Sequence, residues 1–200
     1  CFFEPPFFTK MFREVFQECP PIIVIGRITR FGIDKKKKVC NLSKGMLSML
    51  TVIIGLASKA EITILDEPAA GLDVIVREEF YKLIIDEQQE NGRTFIISTH
   101  IIEEAANVFE EVIILKDKCV YLKENTVELL DKCRYVSGLE EDVKNAVDGC
   151  KIINEEHIGR SYAVTVMQDG DGKIKAVQHV TVQSVSLQNL FIAICGQSNM

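Results

Sequence analysis

The chain has 200 residues, of which 47% are hydrophobic and 26% are charged, as in ordinary globular proteins. Its formal net charge of -6 argues against a protein that binds nucleic acid through overall positive charge. The longest nearly apolar stretch, residues 46–57, is shorter than the ~20 residues needed to cross a bilayer, so we expect no membrane-spanning helix. The 7 cysteines include no CxxC pair, which favours reduced thiols over a disulfide framework or a zinc site.

Residues 1–41 are the least regular part of the sequence. Apolar residues within 12–16 predict one face of a short helix, which the pair Pro20-Pro21 would end. The lysine run at 35–38 is interpreted as a solvated loop rather than a phosphate site, because the protein is acidic overall.

From residue 42 onward, apolar patterns of helical and strand period alternate along the chain. The predicted elements are a buried helix over 46–57, a strand over 62–65, an amphipathic helix from Val76 to Asn91, a strand over 94–98, a short helix over 101–109 and a strand over 112–116. Strands separated by helices predict a parallel sheet that is covered on both faces.

The pattern changes after about residue 131, where we predict a small α+β domain. Its predicted elements are a helix over 139–147, a strand over 151–156, two strands over 161–168 and 174–182 that form a β-hairpin around DGDG at 169–172, and a helix over 187–194.

Charged residues follow two of the predicted strands. Asp66 and Glu67 come directly after ITIL, and His100 stands in the STH that closes the strand over 94–98. Ligands of parallel α/β sheets bind beyond the carboxyl ends of the strands, so these residues predict a site for a metal and a polyanion. The alternative for each residue alone is a helix cap, a turn, or a histidine satisfied in the core.

Four short motifs occur in a fixed order around these residues: LSKGM at 42–46, ITILDE at 62–67, AAGLD at 69–73 and STH at 98–100. They resemble the signature, the Walker B strand, the D-loop and the switch histidine of the ATP-binding subunit of an ABC transporter. The likeness is greatest to bacterial subunits that carry an LSKGM signature and a small C-terminal domain. Two residues depart from the LSGGQ pattern, since Lys44 replaces a glycine and Met46 replaces the glutamine.

The resemblance implies an α/β fold. Residues 42–131 would be the C-terminal part of a P-loop NTPase core of the ABC ATPase type, with a mostly parallel sheet. Residues 1–41 would be a remnant of the helical subdomain, and residues 132–200 would be the small α+β accessory domain.

The resemblance also implies roles for the residues at the strand ends. Asp66 would hold Mg²⁺, directly or through water. Glu67 would be the catalytic base that accepts a proton from the water attacking the γ-phosphate of ATP. His100 would contact the γ-phosphate and hold that water in line.

The signature and the D-loop would act across a dimer interface. Leu42, Ser43, Lys44 and Gly45 would reach the ATP bound by the opposite subunit, where Gly45 would let backbone N–H groups approach a phosphate at a helix N-terminus. Asp73 would touch the opposite subunit's phosphate loop. The implied partners are therefore a second ATPase subunit, identical or different, and a transmembrane permease subunit, with no nucleic acid. The implied location is cytoplasmic, on the inner face of the membrane.

The phosphate loop G-x-x-x-x-G-K-[ST] does not occur in the 200 residues. The one Gly-Lys pair, Gly172-Lys173, is followed by Ile174. We expect the phosphate loop to lie upstream in a longer protein, and the 200 residues alone to be inactive. Two alternatives stay open, a non-catalytic interaction module and a soluble ABC-type ATPase that is not linked to transport.

Overall fold

The computed structural model describes residues 21–34, 37–159, 161–168 and 172–196, without the side chains of 21–25 and 158. The helix predicted within 12–16 lies outside the described residues. The chain divides into two compact units, Cys1–Ile101 and Ile102–Met200. The functional boundaries near residues 41 and 131 stay predictions.

The first unit alternates helices and strands, as predicted. Its elements are α1 (Pro21–Arg30), a short 3-10 helix (Val39–Asn41), α2 (Lys44–Ala57), β1 (Ile62–Asp66), α3 (Val74–Asn91) and β2 (Thr94–Ser98). Helices α2 and α3 begin two residues earlier than predicted, because Ser43 and Asp73 cap their first turns. Helix α1 was not predicted. It begins at a proline, which is tolerated in the first helical turn.

Strands β1 and β2 form the parallel pair that the sequence predicts, in a register that runs from Ile62↔Thr94 to Asp66↔Ser98. One face of β1 packs against α2, where a Cβ added to Gly55 would lie 3.8 Å from the Leu65 side chain. The opposite face stays open within the described residues: Ile62, Ile64 and Ile96 are 61%, 72% and 49% exposed. Parallel sheets are normally covered on both faces, so these three side chains are unusually exposed for a parallel pair.

A buried arginine anchors the start of β2. Arg93 and Glu87 are 5% and 6% exposed, and the Arg93 guanidinium lies 3.1 Å from the Glu87 carboxylate. Glu87 also pairs with Arg27 of α1. Other acceptors of Arg93 are the carbonyl oxygens of Leu56 and Ala60 and the hydroxyl of Thr63, each at 2.9 Å, and the carbonyl oxygen of Gly55 at 3.4 Å. One side chain therefore joins α3, the end of α2 and β1.

The second unit combines short helices with antiparallel strands. Its elements are α4 (Ile102–Ala105), β3 (Glu111–Lys116), β4 (Cys119–Asn125), α5 (Thr126–Lys132), β5 (Cys133–Gly138), α6 (Glu140–Ala146), β6 (Lys151–Ile158), β7 (Ser161–Met167), β8 (Thr181–Ser184) and α7 (Leu187–Cys195). The predicted helix over 101–109 is shorter than expected, since only Ile102–Ala105 is helical.

The third strand of the predicted parallel sheet pairs differently, so that part of the prediction is wrong. Strand β3 pairs antiparallel with β4, a strand that the sequence analysis did not predict. The two residues between them, Asp117 and Lys118, have φ values of +51° and +63°. Two successive residues with positive φ make the tight turn whose twist suits a hairpin.

The remaining strands form a sheet in the order β6-β7-β5-β8, with every neighbouring pair antiparallel. The hairpin predicted between 161–168 and 174–182 is therefore wrong. Strand β5, which was not predicted, takes the place beside β7, and β8 begins only at Thr181 and pairs with β5. Most of the DGDG segment lies outside the described residues. Among the described helices, none is both long and apolar enough to span a bilayer.

Candidate functional site

The carboxyl ends of β1 and β2 bring the predicted acids and the histidine to one edge. Asp66 lies opposite Ser98 in the register, and the Ser98 hydroxyl donates a hydrogen bond to the Asp66 carboxylate. One residue later, the backbone N–H of Glu67 donates to the carbonyl oxygen of Ser98 at 2.9 Å. Backbone and side-chain bonds together thus fix where β1 ends.

Glu67 and His100 are in direct contact. The Nδ1 atom of His100 lies 2.7 Å from Oε1 of Glu67, and the backbone N–H of His100 donates to the same oxygen at 3.1 Å. Because a carboxylate only accepts, Nδ1 carries the proton, which leaves Nε2 available for another group. Oε2 has one long contact, 3.5 Å to the Thr99 hydroxyl. The two side chains are 37% and 74% exposed, so an incoming ligand can reach both.

Glu67 adopts a backbone conformation that is unusual for its type. Its φ is +45°, in the left-handed region that costs an L-residue roughly 1–2 kcal/mol. The turn is closed by the N–H of Ala70, which donates to the Glu67 carbonyl at 3.1 Å. Strained residues of this kind persist where their surroundings hold them, and they are concentrated at functional sites.

The other predicted residues lie at the first turns of two helices. The Ser43 hydroxyl accepts from the backbone N–H of Met46 at 3.2 Å, and the Asp73 carboxylate accepts from the N–H of Val76 at 3.0 Å. Lys44 is exposed, and Leu42 is half-buried. The structure thus gives Ser43 and Asp73 local capping roles, and it does not bring either into contact with the Glu67–His100 pair.

Gly45 is buried, and its missing side chain accommodates a neighbouring turn. A Cβ at Gly45 would lie 2.5 Å from the carbonyl oxygen of Gly71. The Ser48 hydroxyl of the same helix donates to the carbonyl oxygen of Pro68 at 2.9 Å. The sequence analysis did not single out Ser48 or Gly71. The only sequence signal for Ser48 is its position within one helical turn of LSKGM, and the only signal for Gly71 is its position inside AAGLD.

The oxygen ligands at the edge suit a hard divalent cation. The Asp66 side chain is exposed and uses one oxygen to accept from Ser98. No group of three candidate metal ligands occurs among the described residues. Mg²⁺ is commonly held by only one or two carboxylates, with water and substrate phosphates completing its shell. The residues present therefore fit a magnesium ion that arrives with a phosphate ligand.

The most similar curated relatives include ABC transporter proteins from an archaeon and a bacterium. The chain is 33% identical to an uncharacterized ABC transporter ATP-binding protein of Methanocaldococcus jannaschii, over 79% of the chain and 55% of the relative. It is 23% identical to the ABC transporter ATP-binding protein YtrB of Bacillus subtilis, over 84% of the chain and 60% of YtrB. The chain is a homologue of ABC transporter ATP-binding proteins. The resemblance predicted from its motifs is thereby confirmed.

The fold of the chain is similar to that of a solved structure. The chain matches a candidate cobalt transport ATP-binding protein (cbiO-2) with a TM-score of 0.53 and 16% identity, over 84% of the chain and 59% of that protein. The predicted fold, a partial ABC ATPase core within the P-loop NTPase class, is confirmed. The chain spans 55% to 60% of the length of the two curated relatives.

A family model also matches the segment that contains the motifs. Its description reads "AAA domain, putative AbiEii toxin, Type IV TA system", and the match covers residues 31–106, less than half of the chain. The matched segment includes LSKGM, ITILDE, AAGLD and STH.

Proposed function

We propose that the chain is part of an ATP-hydrolysing subunit of an ABC transporter. In this proposal LSKGM, ITILDE, AAGLD and STH are its signature, Walker B strand, D-loop and switch histidine. The observation that carries the proposal is the contact between Glu67 and His100 where β1 and β2 end. An acid and an imidazole at the open end of a parallel pair are placed where an α/β sheet binds its ligand.

In this proposal Glu67 is the general base. His100 donates twice to Oε1, through Nδ1–H and through its backbone N–H, so the carboxylate is held in one orientation. Oε2 is then the oxygen that accepts a proton from the attacking water. A base of this kind must lie within hydrogen-bond reach of that water, and the exposure of Glu67 permits it. To contact the γ-phosphate, His100 would donate from Nε2–H as well as from Nδ1–H, as both ring nitrogens of an imidazolium do.

Asp66 is the proposed holder of Mg²⁺. When bound, the ion would neutralise charge that develops on the phosphates. The Ser98 hydroxyl fixes one Asp66 oxygen, and the other can face the ion directly or through water.

The signature residues Leu42, Ser43, Lys44 and Gly45 are proposed to contact ATP held by a second ATPase subunit. Helix α2 has 14 residues and begins at Lys44, so its N-terminal backbone N–H groups present a partial positive charge. Asp73 would face the opposite phosphate loop. A transmembrane permease subunit would complete the assembly on the cytoplasmic face of the membrane.

Replacing Asp66 with asparagine tests the metal assignment. In the full-length protein that contains these residues, Asp66→Asn should weaken Mg²⁺-dependent ATP binding. Loss of an outer-shell partner typically lowers metal affinity by roughly 10- to 100-fold, and loss of the Asp66 carboxylate should cost at least as much. Titration calorimetry with ATP, with and without Mg²⁺, measures the difference. Asp86→Asn removes an exposed carboxylate from α3 and serves as the control. Equal Mg²⁺ dependence in the parent and in Asp66→Asn would refute the assignment.

The 200 residues alone should bind Mg-ATP weakly or not at all. They contain no G-x-x-x-x-G-K-[ST], and most backbone donors to the phosphates come from that loop. The open apolar face at Ile62, Ile64 and Ile96 should also promote aggregation. Calorimetry on the monodisperse fraction checks this prediction, and micromolar affinity would contradict it.

A second candidate function is that of an ABC-type ATPase not linked to transport. The match to a family described as an AAA domain, rather than as a transporter, favours it. Cell fractionation separates the two candidates. A transport subunit should sediment with membranes and leave them in detergent as a complex larger than its own dimer, whereas an unlinked ATPase should stay in the supernatant.

A further inference from the structure

The N-terminal part of α2 and the turn after β1 are in close backbone contact. A Cβ at Gly45 would lie 2.5 Å from the carbonyl oxygen and 3.2 Å from the carbonyl carbon of Gly71. Both distances are to backbone atoms, which cannot move aside as a flexible side chain does. Any side chain at position 45 would therefore push the turn and the helix apart.

A hydrogen bond also joins the same segments. One turn further along α2, the Ser48 hydroxyl donates to the carbonyl oxygen of Pro68 at 2.9 Å. Gly71 has a φ of +77°, which favours glycine, and a Cβ there would lie 3.8 Å from the aliphatic part of Lys44. We call the three residues Gly45, Ser48 and Gly71 the glycine seam.

The seam lies next to the residue proposed as the base. Pro68 directly follows Glu67, and its ring restricts the φ of Pro68, which removes one of the two backbone rotations between the Pro68 carbonyl and the Glu67 peptide. Glu67 is already in a left-handed conformation at +45°. Its side chain must still meet His100 at 2.7 Å.

We propose that the glycine seam positions Glu67 against His100 within one subunit. Gly45, Ser48 and Gly71 are then positioning residues, and the LSKGM helix acts on its own subunit's base as well as on a nucleotide across the interface. The inference rests on the proposed function for what Glu67 does, but the seam itself can be tested without ATP.

Matched glycine variants of the full-length protein test the contact. Gly45→Ala and Gly55→Ala both add one methyl to α2, and the Gly55 site offers ordinary contacts of 3.7 Å and 3.8 Å. Alanine favours a helix over glycine, so Gly55→Ala should keep or raise the urea midpoint, and Gly45→Ala should lower it. Equal midpoints for the two variants would overturn the seam.

Matched hydroxyl variants test positioning. Ser48→Ala loses the bond to Pro68, whereas Thr51→Ala loses only a bond to the Leu47 carbonyl of its own helix. The nitrogen-15 NMR signal of His100 Nδ1–H, assigned by its loss in His100→Gln, reports the contact with Glu67 in nucleotide-free protein. We expect that signal to shift or broaden in Ser48→Ala and in Gly45→Ala, and to stay in place in Thr51→Ala and Gly55→Ala.

Turnover gives the second measurement of positioning. A misplacement of about 1 Å can cost roughly 100-fold in rate, so kcat of Ser48→Ala should fall by up to that factor while KM for ATP stays near the parent value. Ser48→Thr, which keeps the hydroxyl, should recover kcat. An unchanged His100 signal in Ser48→Ala would overturn the positioning role. A shifted signal in a protein whose parent hydrolyses no ATP would support the seam and refute the proposed function instead.

Discussion

Replacing Glu67 with glutamine should slow ATP hydrolysis by the full-length protein by roughly 100- to 10,000-fold, the usual contribution of a general base. Glutamine keeps the size of the side chain and an oxygen that can accept from His100, but it removes the basicity. ATP should still bind, because neither the Asp66 carboxylate nor the N-terminus of α2 is changed. The stalled protein should therefore accumulate as an ATP-bound dimer.

Single-turnover rates and sizing chromatography in Mg-ATP measure both effects. Glu90→Gln, which changes an exposed acid of α3, is the control and should behave as the parent. Hydrolysis by Glu67→Gln at the parent rate would show that Glu67 is not the base.

Replacing Arg93 with methionine should lower the free energy of unfolding by about 3–5 kcal/mol, the usual cost of breaking a buried ion pair. The change leaves the buried Glu87 carboxylate with Arg27 as its remaining guanidinium partner. It also removes the donors to the Leu56 and Ala60 carbonyls and to Thr63. The start of β2 then loses its side-chain attachment to α2, and its link to β1 is reduced to the backbone pairing of the two strands.

Urea unfolding of the full-length protein measures this loss. Lys82→Met is the matched control, because Lys82 pairs with Glu78 on the exposed face of α3, the helix that carries Glu87. We expect the control to keep the parent midpoint. A similar shift in both variants would mean that the Arg93 network contributes no more than a surface pair.

The edge that carries the site is predictable because the signals there are local. Apolar runs bounded by turn residues indicate β1 and β2, and the register of a parallel pair places the residues after each strand side by side. The strand pattern alone is therefore enough to place Asp66, Glu67 and His100 at one edge. The order of the four motifs indicates the likeness to ABC transporter ATP-binding proteins.

Other features depend on contacts between distant segments and were not predictable. The periodicity of 174–182 resembles a strand, yet β5 pairs with β7 along its length and displaces it. From sequence alone, a charged residue such as Arg93 is expected at the surface. Its burial depends on hydrogen-bond partners that lie up to 38 residues away in the chain. The role of Gly71 likewise depends on a helix that begins 27 residues earlier in the chain.

Release of inorganic phosphate from Mg-ATP by the purified full-length protein tests the central claim most directly. We predict many phosphates released per subunit in the parent, and loss of release when EDTA removes the metal. Less than one phosphate per subunit, from folded protein with Mg²⁺ present, would contradict the assignment of this chain to an ATP-hydrolysing subunit and would favour a non-catalytic interaction module.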